Sequence, residues 1–304
     1  MRFSTHRMVN RKEQRHSLAP VATAIVVIAT AGCYHGSESV LERMAKAQQR
    51  ARDLHLHFSQ VADATNLAVM ADTDAASHAF ASQARQNIDV LQKDADALRT
   101  LLKNLMFSKE VALLDQFEQR FTKYRSLDRT ILDLSVENTN LKAQRLSIGP
   151  AQEAVEAFRV ALEQVASGAP PNEAWHIKAL TASALAAVRE IQVLEAPHII
   201  EADDREMTRI EKQMSASENA ARDALKMLAT LVPDATRPQV AASEAALTKY
   251  LDLHTQLLAL SRRNSNVRSL SLALGELRML NAGCEDDLRA LQEAIGKRGF
   301  VATR

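Results

Sequence analysis

The chain has 304 residues, of which 46% are apolar and 25% charged, and it contains only 8 Gly and 7 Pro. Strands and turns need more of these punctuating residues, so the composition predicts a mostly helical protein. The formal net charge is +1, and charges of both signs alternate along the chain, which excludes the basic surface that nucleic-acid binding demands.

The N-terminus, residues 1–32, has the outline of a secretory signal. A basic leader carries Arg2, Arg7, Arg11, Lys12 and Arg15 and precedes the apolar run "LAPVATAIVVIATA". This run of about 14 residues is shorter than the roughly 20 that cross a bilayer as a helix. We therefore expect a signal peptide and export to the periplasm or cell envelope, with an uncleaved anchor as the alternative.

Cys33 follows directly after "TAG", a sequence that resembles the lipobox of bacterial lipoproteins. Ala31 and Gly32 fit that pattern, whereas Thr30 stands where the family usually has Leu. The resemblance implies lipidation of Cys33 and membrane contact through the attached lipid. The usual inner-membrane retention residue, Asp, is absent after the cysteine, so the resemblance also implies the outer membrane, with residues 33–37 as a short tether.

Long helical patterns fill residues 38–297, and 298–304 form a C-terminal tail. The loops are marked by "SGAPPNEA" from residue 167 and "VPDATRP" from residue 232. The predicted helices are 38–105, 109–167, 173–232 and 238–297. Four such helices predict an all-α fold, an elongated up-down-up-down four-helix bundle built from a duplicated long helical hairpin.

The duplication is visible in two segments, "LSVENTNLKAQRLSIG" at 134–149 and "LSRRNSNVRSLSLALG" at 260–275. They align without a gap. The identical pairs are Leu134/Leu260, Ser135/Ser261, Asn138/Asn264, Asn140/Asn266, Leu146/Leu272 and Gly149/Gly275. Such internal repetition predicts two repeats, 38–167 and 173–297.

Asn138 and Asn264 fall on the apolar stripe of their helices, where leucines recur at alternating intervals of three and four. The stripe changes phase near Gly149 and Gly275, and Pro197 is expected at the same height. Because proline removes a backbone hydrogen bond, we expect a waist there that divides the bundle into two tiers.

The hairpin register brings the acidic segments 71–80 and 201–210 to the level of these asparagines. One interpretation is a buried asparagine pair that fixes register, surrounded by interhelical salt bridges. The other is a cavity that holds a small anion such as a carboxylate. The candidate ligand-binding residues are Asn138, Asn140, Lys142, Arg145, Asn264, Asn266, Arg268 and His78.

No catalytic, metal or cofactor motif is found in the sequence. No Cys-x-x-Cys-His motif occurs, and His55 and His57 point about 200° apart on a helix. Besides Cys33 the chain contains only Cys284, which is predicted to be a small core residue or, if Cys33 is not lipidated, its disulfide partner. The sequence therefore predicts a non-enzymatic protein without a cofactor.

The repeated pattern "LSxxNTNLKAQRLSxG" in a helical bundle resembles the periplasmic four-helix-bundle sensor domains of bacterial methyl-accepting chemoreceptors. That family binds small molecules between helices, dimerises and signals through transmembrane helices. After residue 297 the pattern of the family is absent, since no second apolar span or signalling hairpin follows.

The resemblance implies a sensing module without its own output. It would bind an organic acid or amino acid and act through a homodimer or a separate signalling partner of the envelope. The alternative is a structural or adaptor helical rod of the envelope with no small-molecule ligand.

Overall fold

The structure, a computed structural model, describes residues 39–302, and all the regular structure in this range is helical, which confirms the predicted all-α class. The α-helices are α1 (Val40–Met70), α2 (Asp74–Asn104), α3 (Ser108–Glu137), α4 (Thr139–Leu146), α5 (Gln152–Ser167), α6 (Ala174–Ile200), α7 (Asp204–Leu231), α8 (Arg237–Arg263), α9 (Ser265–Leu272) and α10 (Arg278–Ala302). Two π-helical segments, Ser147–Ala151 and Ala273–Leu277, and a 3₁₀ turn, Asp234–Thr236, complete the set. None of the described helices combines the length and apolar character needed to span a membrane. The predictions for residues 1–38, including Cys33, lie outside the described residues.

Two of the predicted helices, 38–105 and 173–232, are wrong as single helices, because each is a hairpin. The chain reverses at residues 71–73, so that α2 packs back along α1, and it reverses again at 201–203 between α6 and α7. Asn87 Nδ2 on α2 accordingly donates to the carbonyl of Gln60 on α1 at 3.2 Å.

Helix-capping side chains explain both reversals. Thr73 Oγ1 accepts the amide of Ala76 at 3.2 Å, and Asp203 Oδ1 accepts the amide of Arg205 at 2.7 Å. Each acceptor satisfies an amide that a new helix start would leave unpaired. The apolar periodicity continues through these positions, so it does not reveal the break.

The other two predicted helices correspond to the continuous runs α3–α4–α5 and α8–α9–α10, which lie antiparallel to each other. Near one end, Arg298 Nε donates to Glu110 Oε1 at 2.9 Å. At the middle, the amide of Thr139 donates to Ser265 Oγ at 3.1 Å. Near the other end, Thr236 Oγ1 donates to the carbonyl of Gly168 at 3.3 Å. The two runs therefore keep one register along their length.

The hydrophobic interior consists of two main cores, one on each side of the middle. The first core takes its buried side chains from α1, α2, α3 and α10, and the second from α5, α6, α7 and α8. Because α10 belongs to the second repeat and α5 to the first, each repeat supplies three helices to one core and the fourth helix to the other. The structure therefore has two cores that exchange a helix, in place of the predicted bundle of four full-length helices.

Aromatic side chains fill the centre of the first core. Phe58 on α1 meets Phe117 edge-on with ring centroids 6.0 Å apart, and it also contacts Phe121 and Tyr124. Cys284 on α10 is completely buried and free in the same core, as predicted for a small core residue. Burial raises the pKa of its thiol to about 12.

Candidate functional site

The two runs cross at Asn138–Asn140 and Asn264–Asn266, which we call the asparagine crossing. Asn138 and Asn264 adopt left-handed backbone angles, with φ of 50° and 54°, and each separates two helices. Asparagine tolerates this conformation better than most residues. Both are buried, as the apolar stripe predicts, but their backbone geometry was not foreseen from the sequence.

The side-chain amides of the asparagine crossing bind one another. Asn140 and Asn266 each donate a backbone amide to the other's side-chain oxygen at 3.1 Å. Asn140 Nδ2 donates to Asn264 Oδ1 at 2.7 Å, and Asn266 Nδ2 donates to Asn138 Oδ1 at 2.9 Å. This closed arrangement joins the two repeats through equivalent residues.

The asparagine crossing also holds the ends of the two hairpins. Asn138 Nδ2 donates to Ser77 Oγ of α2 at 2.9 Å, and Asn264 Nδ2 donates to the carbonyl of Glu201 at 2.7 Å. The predicted proximity of segments 71–80 and 201–210 to this level is therefore correct. The geometry suits the first interpretation of the asparagines, fixation of register.

The charged residues predicted for the same site do not converge on one point. Lys142 Nζ donates to the carbonyl of Glu137 at 2.8 Å, and Arg145 Nη2 donates to the carbonyl of Asp72 at 2.9 Å. Arg268 and His78 are exposed. A ligand at the asparagine crossing stays a prediction, since two cavities of the first core are lined by other residues.

The phase change predicted at Gly149 and Gly275 takes the form of the two π-helical segments. A Cβ added to either glycine would meet nothing within 4 Å, so close packing does not require glycine there. A π segment inserts one extra residue into a helical turn, and such insertions are frequent at functional sites. Ser147 and Ala273 are the first residues of the two segments. Ser147 donates a hydrogen bond to Glu195 of the second core, whereas Ala273 lines a cavity of the first core.

The second core contains a buried carboxylate with three partners. Glu195 on α6 is completely buried and accepts hydrogen bonds from Tyr250 Oη at 3.0 Å, from His254 Nδ1 at 3.1 Å and from Ser147 Oγ at 2.5 Å. Burial, and then the charge of Glu195, raises the pKa of Tyr250. These bonds compensate for placing the carboxylate away from water.

The first core has a different polar cluster at the equivalent positions. Thr65 and Glu195 both lie five residues before the end of their helices, α1 and α6. Tyr124 and Asp128 on α3 correspond to the tyrosine and histidine on α8. Thr65 Oγ1 donates to Asp128 Oδ1 at 2.6 Å, so here the acid comes from the opposite helix. Burial raises the pKa of Asp128 to about 6.

The polar cluster of the first core is only partly satisfied. The hydroxyl of Tyr124 and Asp128 Oδ2 are buried and have no hydrogen-bond partner among the described residues. Such orphaned groups are uncommon in folded proteins and indicate a place where a ligand or water completes the bonding. Each of these two residues borders a different cavity.

Asp128 borders a cavity of about 220 Å³ between α2 and α3, which we call the arginine groove. Its lining consists of Arg85, Ile88, Asp89, Arg125, Asp128, Arg129 and Leu132. Arg85 Nη2 contacts Asp133 Oδ1 at 2.9 Å, whereas Arg125 and Arg129 make no ion pair with any described residue. Two guanidinium groups are therefore available at the groove.

Tyr124 borders a second cavity of about 250 Å³, which we call the Tyr124 cavity. It lies between α1 and the second π-helical segment with the start of α10. Its lining consists of Ala62, Asn66, Tyr124, Ala273, Leu274, Leu277, Arg278 and Asn281. Asn281 Oδ1 is a further buried atom without a partner.

Two other polar arrangements contain histidine. His55 pairs with Glu285, and His57 Nδ1 pairs with Asp94 Oδ2 at 2.5 Å, so the two imidazoles face different carboxylates as their spacing predicts. No cluster of three or more metal-ligating side chains exists among the described residues.

The second arrangement is a buried row of Ser261, His198 and Glu211. His198 Nδ1 lies 2.8 Å from Ser261 Oγ and its Nε2 lies 3.0 Å from Glu211 Oε1. Ser261 is completely buried and its hydroxyl also donates to the carbonyl of His198 at 2.9 Å. A nucleophile needs access to its substrate, so this row is structural in the observed conformation. Burial lowers the pKa of His198.

Comparison of the chain with protein-family models, with curated protein sequences and with solved structures finds no match.

Proposed function

We propose that the chain is an exported, non-enzymatic binding module of the bacterial cell envelope that takes up a small anionic solute in the arginine groove. The observation that carries this proposal is the lining of that groove. Arg125 and Arg129 have no ion-pair partner there, and they flank the buried carboxyl of Asp128 with its unpaired oxygen. Guanidinium groups donate hydrogen bonds in pairs and match the geometry of carboxylates and phosphates.

The comparison of the two repeats supports a ligand role for these arginines. In the second core the positions of Arg125 and Arg129 are taken by Leu251, which is 6% exposed, and Thr255. The same helix packing is thus achieved without arginine. The second core has no arginine at these two positions, so the fold does not demand the arginine pair.

The envelope location rests on the sequence of residues 1–33. The basic leader, the apolar run and Cys33 favour export followed by attachment of lipid. In such a location the module would act through a homodimer or a separate signalling partner, as in the chemoreceptor sensor domains that the repeated segments resemble.

A structural or adaptor rod of the envelope is the second candidate function. The asparagine crossing favours it, because its amides bind one another and the hairpin ends and leave two helical runs continuous through both cores. A rod of this kind needs no ligand, so the same binding experiment decides between the two functions.

The experiment is a thermal-shift screen of the purified protein with small organic acids and amino acids. A ligand of the native state raises the apparent stability by RT ln(1 + [L]/Kd), so one hundred times Kd corresponds to about 2.7 kcal/mol. We expect at least one anionic solute to raise the melting temperature, and the Arg125→Ala, Arg129→Ala double variant to lose the shift.

Arg289→Ala is the matched control, since this arginine is exposed on α10 and pairs only with Asp286 at 3.1 Å. It removes a cation without touching the groove and is expected to keep the ligand-induced shift. A folded protein that responds to none of the solutes, or a double variant that responds like the unaltered protein, would favour the rod.

A further inference from the structure

The Tyr124 cavity is a second candidate binding site, separate from the arginine groove. The Tyr124 side chain is completely buried, yet its hydroxyl meets no partner at hydrogen-bond geometry, and neither does Asn281 Oδ1. Both residues line the same space of about 250 Å³. A group placed in that space can therefore complete two buried hydrogen bonds at once.

The second core has other side chains at the corresponding place. Ala62 lies eight residues before the end of α1, and Gln192 lies at the same distance from the end of α6. Arg278 and Gln152 are the first residues of α10 and α5. In the second core Gln192 Nε2 donates to the exposed Gln152 Oε1 at 2.9 Å, so a side-chain amide bridges the two helices at the surface.

The first core lacks this bridge and has a more polar lining. Ala62 is too short to cross to α10, and Ala273 replaces the serine hydroxyl that Ser147 supplies in the second core. Asn281 stands where the second core has Val155, which is completely buried among apolar groups. Compared with the second core, the first core thus lacks two polar side chains at this place and has an additional asparagine whose amide oxygen is unpaired.

The chemistry of the lining favours an uncharged group at the base of the cavity. Burial, and after it the negative charge of Asp128, raises the pKa of Tyr124, against a smaller opposite effect of the neighbouring Thr65 side chain. Negative charge next to the hydroxyl is therefore unfavourable, and the one cationic residue of the lining, Arg278, is exposed to solvent. The hydroxyl can donate and accept, and the Asn281 amide offers one of each, whereas a carboxylate offers acceptors only.

We infer that the Tyr124 cavity binds a small uncharged carboxamide. The carbonyl oxygen of the ligand accepts from the Tyr124 hydroxyl, and its NH₂ group bonds to Asn281. Because a carboxamide carries both a donor and an acceptor, it satisfies either orientation of the Asn281 amide. This site and its ligand class do not depend on the arginine groove.

The test is a titration of the isotope-labelled, purified protein with propionamide and, separately, with propionate at pH 7.5, followed by NMR. Propionamide is expected to give saturable shifts at Tyr124, Leu277 and Asn281, with an affinity at least about tenfold higher than that of propionate, since the carboxylate leaves a buried acceptor unpaired. Absence of saturable shifts, or propionate binding as tightly as propionamide, would overturn the inference.

The variant Ala62→Gln places in the first core the side chain that bridges the equivalent helices of the second core. It is expected to remove the propionamide shifts while the spectrum remains that of a folded protein. The matched variant Gln192→Ala opens the second core but supplies no unpaired polar lining, because Tyr250 is bonded to Glu195. No propionamide shifts are expected around it.

Tyr124→Phe provides an independent measurement, since it removes only the unpaired hydroxyl. Its affinity for propionamide is expected to fall at least about fivefold, whereas Arg125→Ala at the arginine groove should leave the affinity unchanged. Unchanged affinity in every folded variant of Ala62 and Tyr124 would mean that propionamide binds elsewhere, and the assignment of this cavity would be wrong.

Discussion

Thr139 and Ser265 hold each other through a reciprocal pair of hydrogen bonds: the amide of Thr139 donates to Ser265 Oγ at 3.1 Å, and the amide of Ser265 donates to Thr139 Oγ1 at 3.0 Å. They are 126 positions apart and occupy the same place in the two repeats. The internal symmetry of the sequence is thus present as a physical contact, and the two repeats meet through the residues that the duplication made equivalent.

The left-handed residues of the crossing give the first prediction. Asn264 has φ of 54°, and its side chain bonds to Asn140 and to the carbonyl of Glu201. Both Asn264→Gly and Asn264→Ala lose these bonds, but alanine also strains the backbone, so it should cost about 1 kcal/mol more than glycine. Urea unfolding measures the free energy of unfolding of both variants. Equal loss in the two variants would show that the backbone conformation carries no cost.

The buried carboxylate of the second core gives the second prediction. Glu195→Ala removes the acceptor shared by Ser147, Tyr250 and His254, and it leaves these polar groups unpaired in the core. We expect a loss of about 3 kcal/mol in the free energy of unfolding, because orphaned buried groups cost more than the lost bonds. Glu195→Gln keeps an acceptor oxygen and should lose less. A shift of the urea midpoint no larger for Ala than for Gln would contradict this account.

The sequence predicts the helical class, the burial of Asn138 and Asn264, and the paired breaks at Gly149 and Gly275, because all three follow from periodicity and repetition along the chain. The reversals after α1 and α6 escape the same reasoning, since the apolar pattern runs through them and only Thr73 and Asp203 mark the new helix starts. Each capping residue with its following turn was a local signal that could have been used.

The exchange of α5 and α10 between the cores was harder to predict from the sequence. It follows from the two reversals. Each hairpin is only about half as long as the predicted single helix, so each continuous run extends past one hairpin and contributes to both cores. The candidate cavities depend on which side chain is unpaired, and the repeat "TKY" that contains Tyr124 and Tyr250 gives no sign that only one hydroxyl is bonded. That difference arises from the residues on the facing helices, Thr65 on α1 and Glu195 on α6.

The raised pKa of Asp128 gives a prediction about stability. Its pKa of about 6 lies above the ordinary value of 3.8, so the native state retains a proton that the unfolded chain releases between these two values. Stability should therefore fall as the pH rises through this window and stay low above it. Asp128→Asn keeps an acceptor for Thr65 and should stabilise the protein at pH 7.5 by on the order of 2 kcal/mol.

The advantage of Asp128→Asn should disappear near pH 4, where the native and the unfolded chain both carry the proton. Melting temperatures measured from pH 4 to pH 7.5 check this. Asp89→Asn, an exposed carboxyl in the same groove, is the matched control and should change the melting temperature little. A constant difference between Asp128→Asn and the unaltered protein over the whole range would exclude titration of this group.

Lipidation of Cys33 is a separate prediction about the N-terminal segment. Metabolic labelling with a fatty-acid analogue should mark the unaltered chain and leave Cys33→Ser unlabelled, since the thiol is the attachment point that the lipobox resemblance implies. Cys284→Ser is the matched control, because that thiol is buried in the first core and is expected to leave labelling unchanged. Equal labelling of all three chains would remove the lipid anchor from the proposal.

The pH dependence of binding in the arginine groove distinguishes the two ligand classes expected from the sequence. An organic acid held by Arg125 and Arg129 is repelled by ionised Asp128 and favoured by its protonated form, so its affinity should rise, by roughly tenfold, as the pH falls from 7.5 to 5.5. An amino acid that places its ammonium against the unpaired Asp128 Oδ2 should show the opposite trend. Calorimetric titration at several pH values measures the sign directly. In Asp128→Asn both trends should vanish, and a trend that persists in that variant would assign the linked proton to another group.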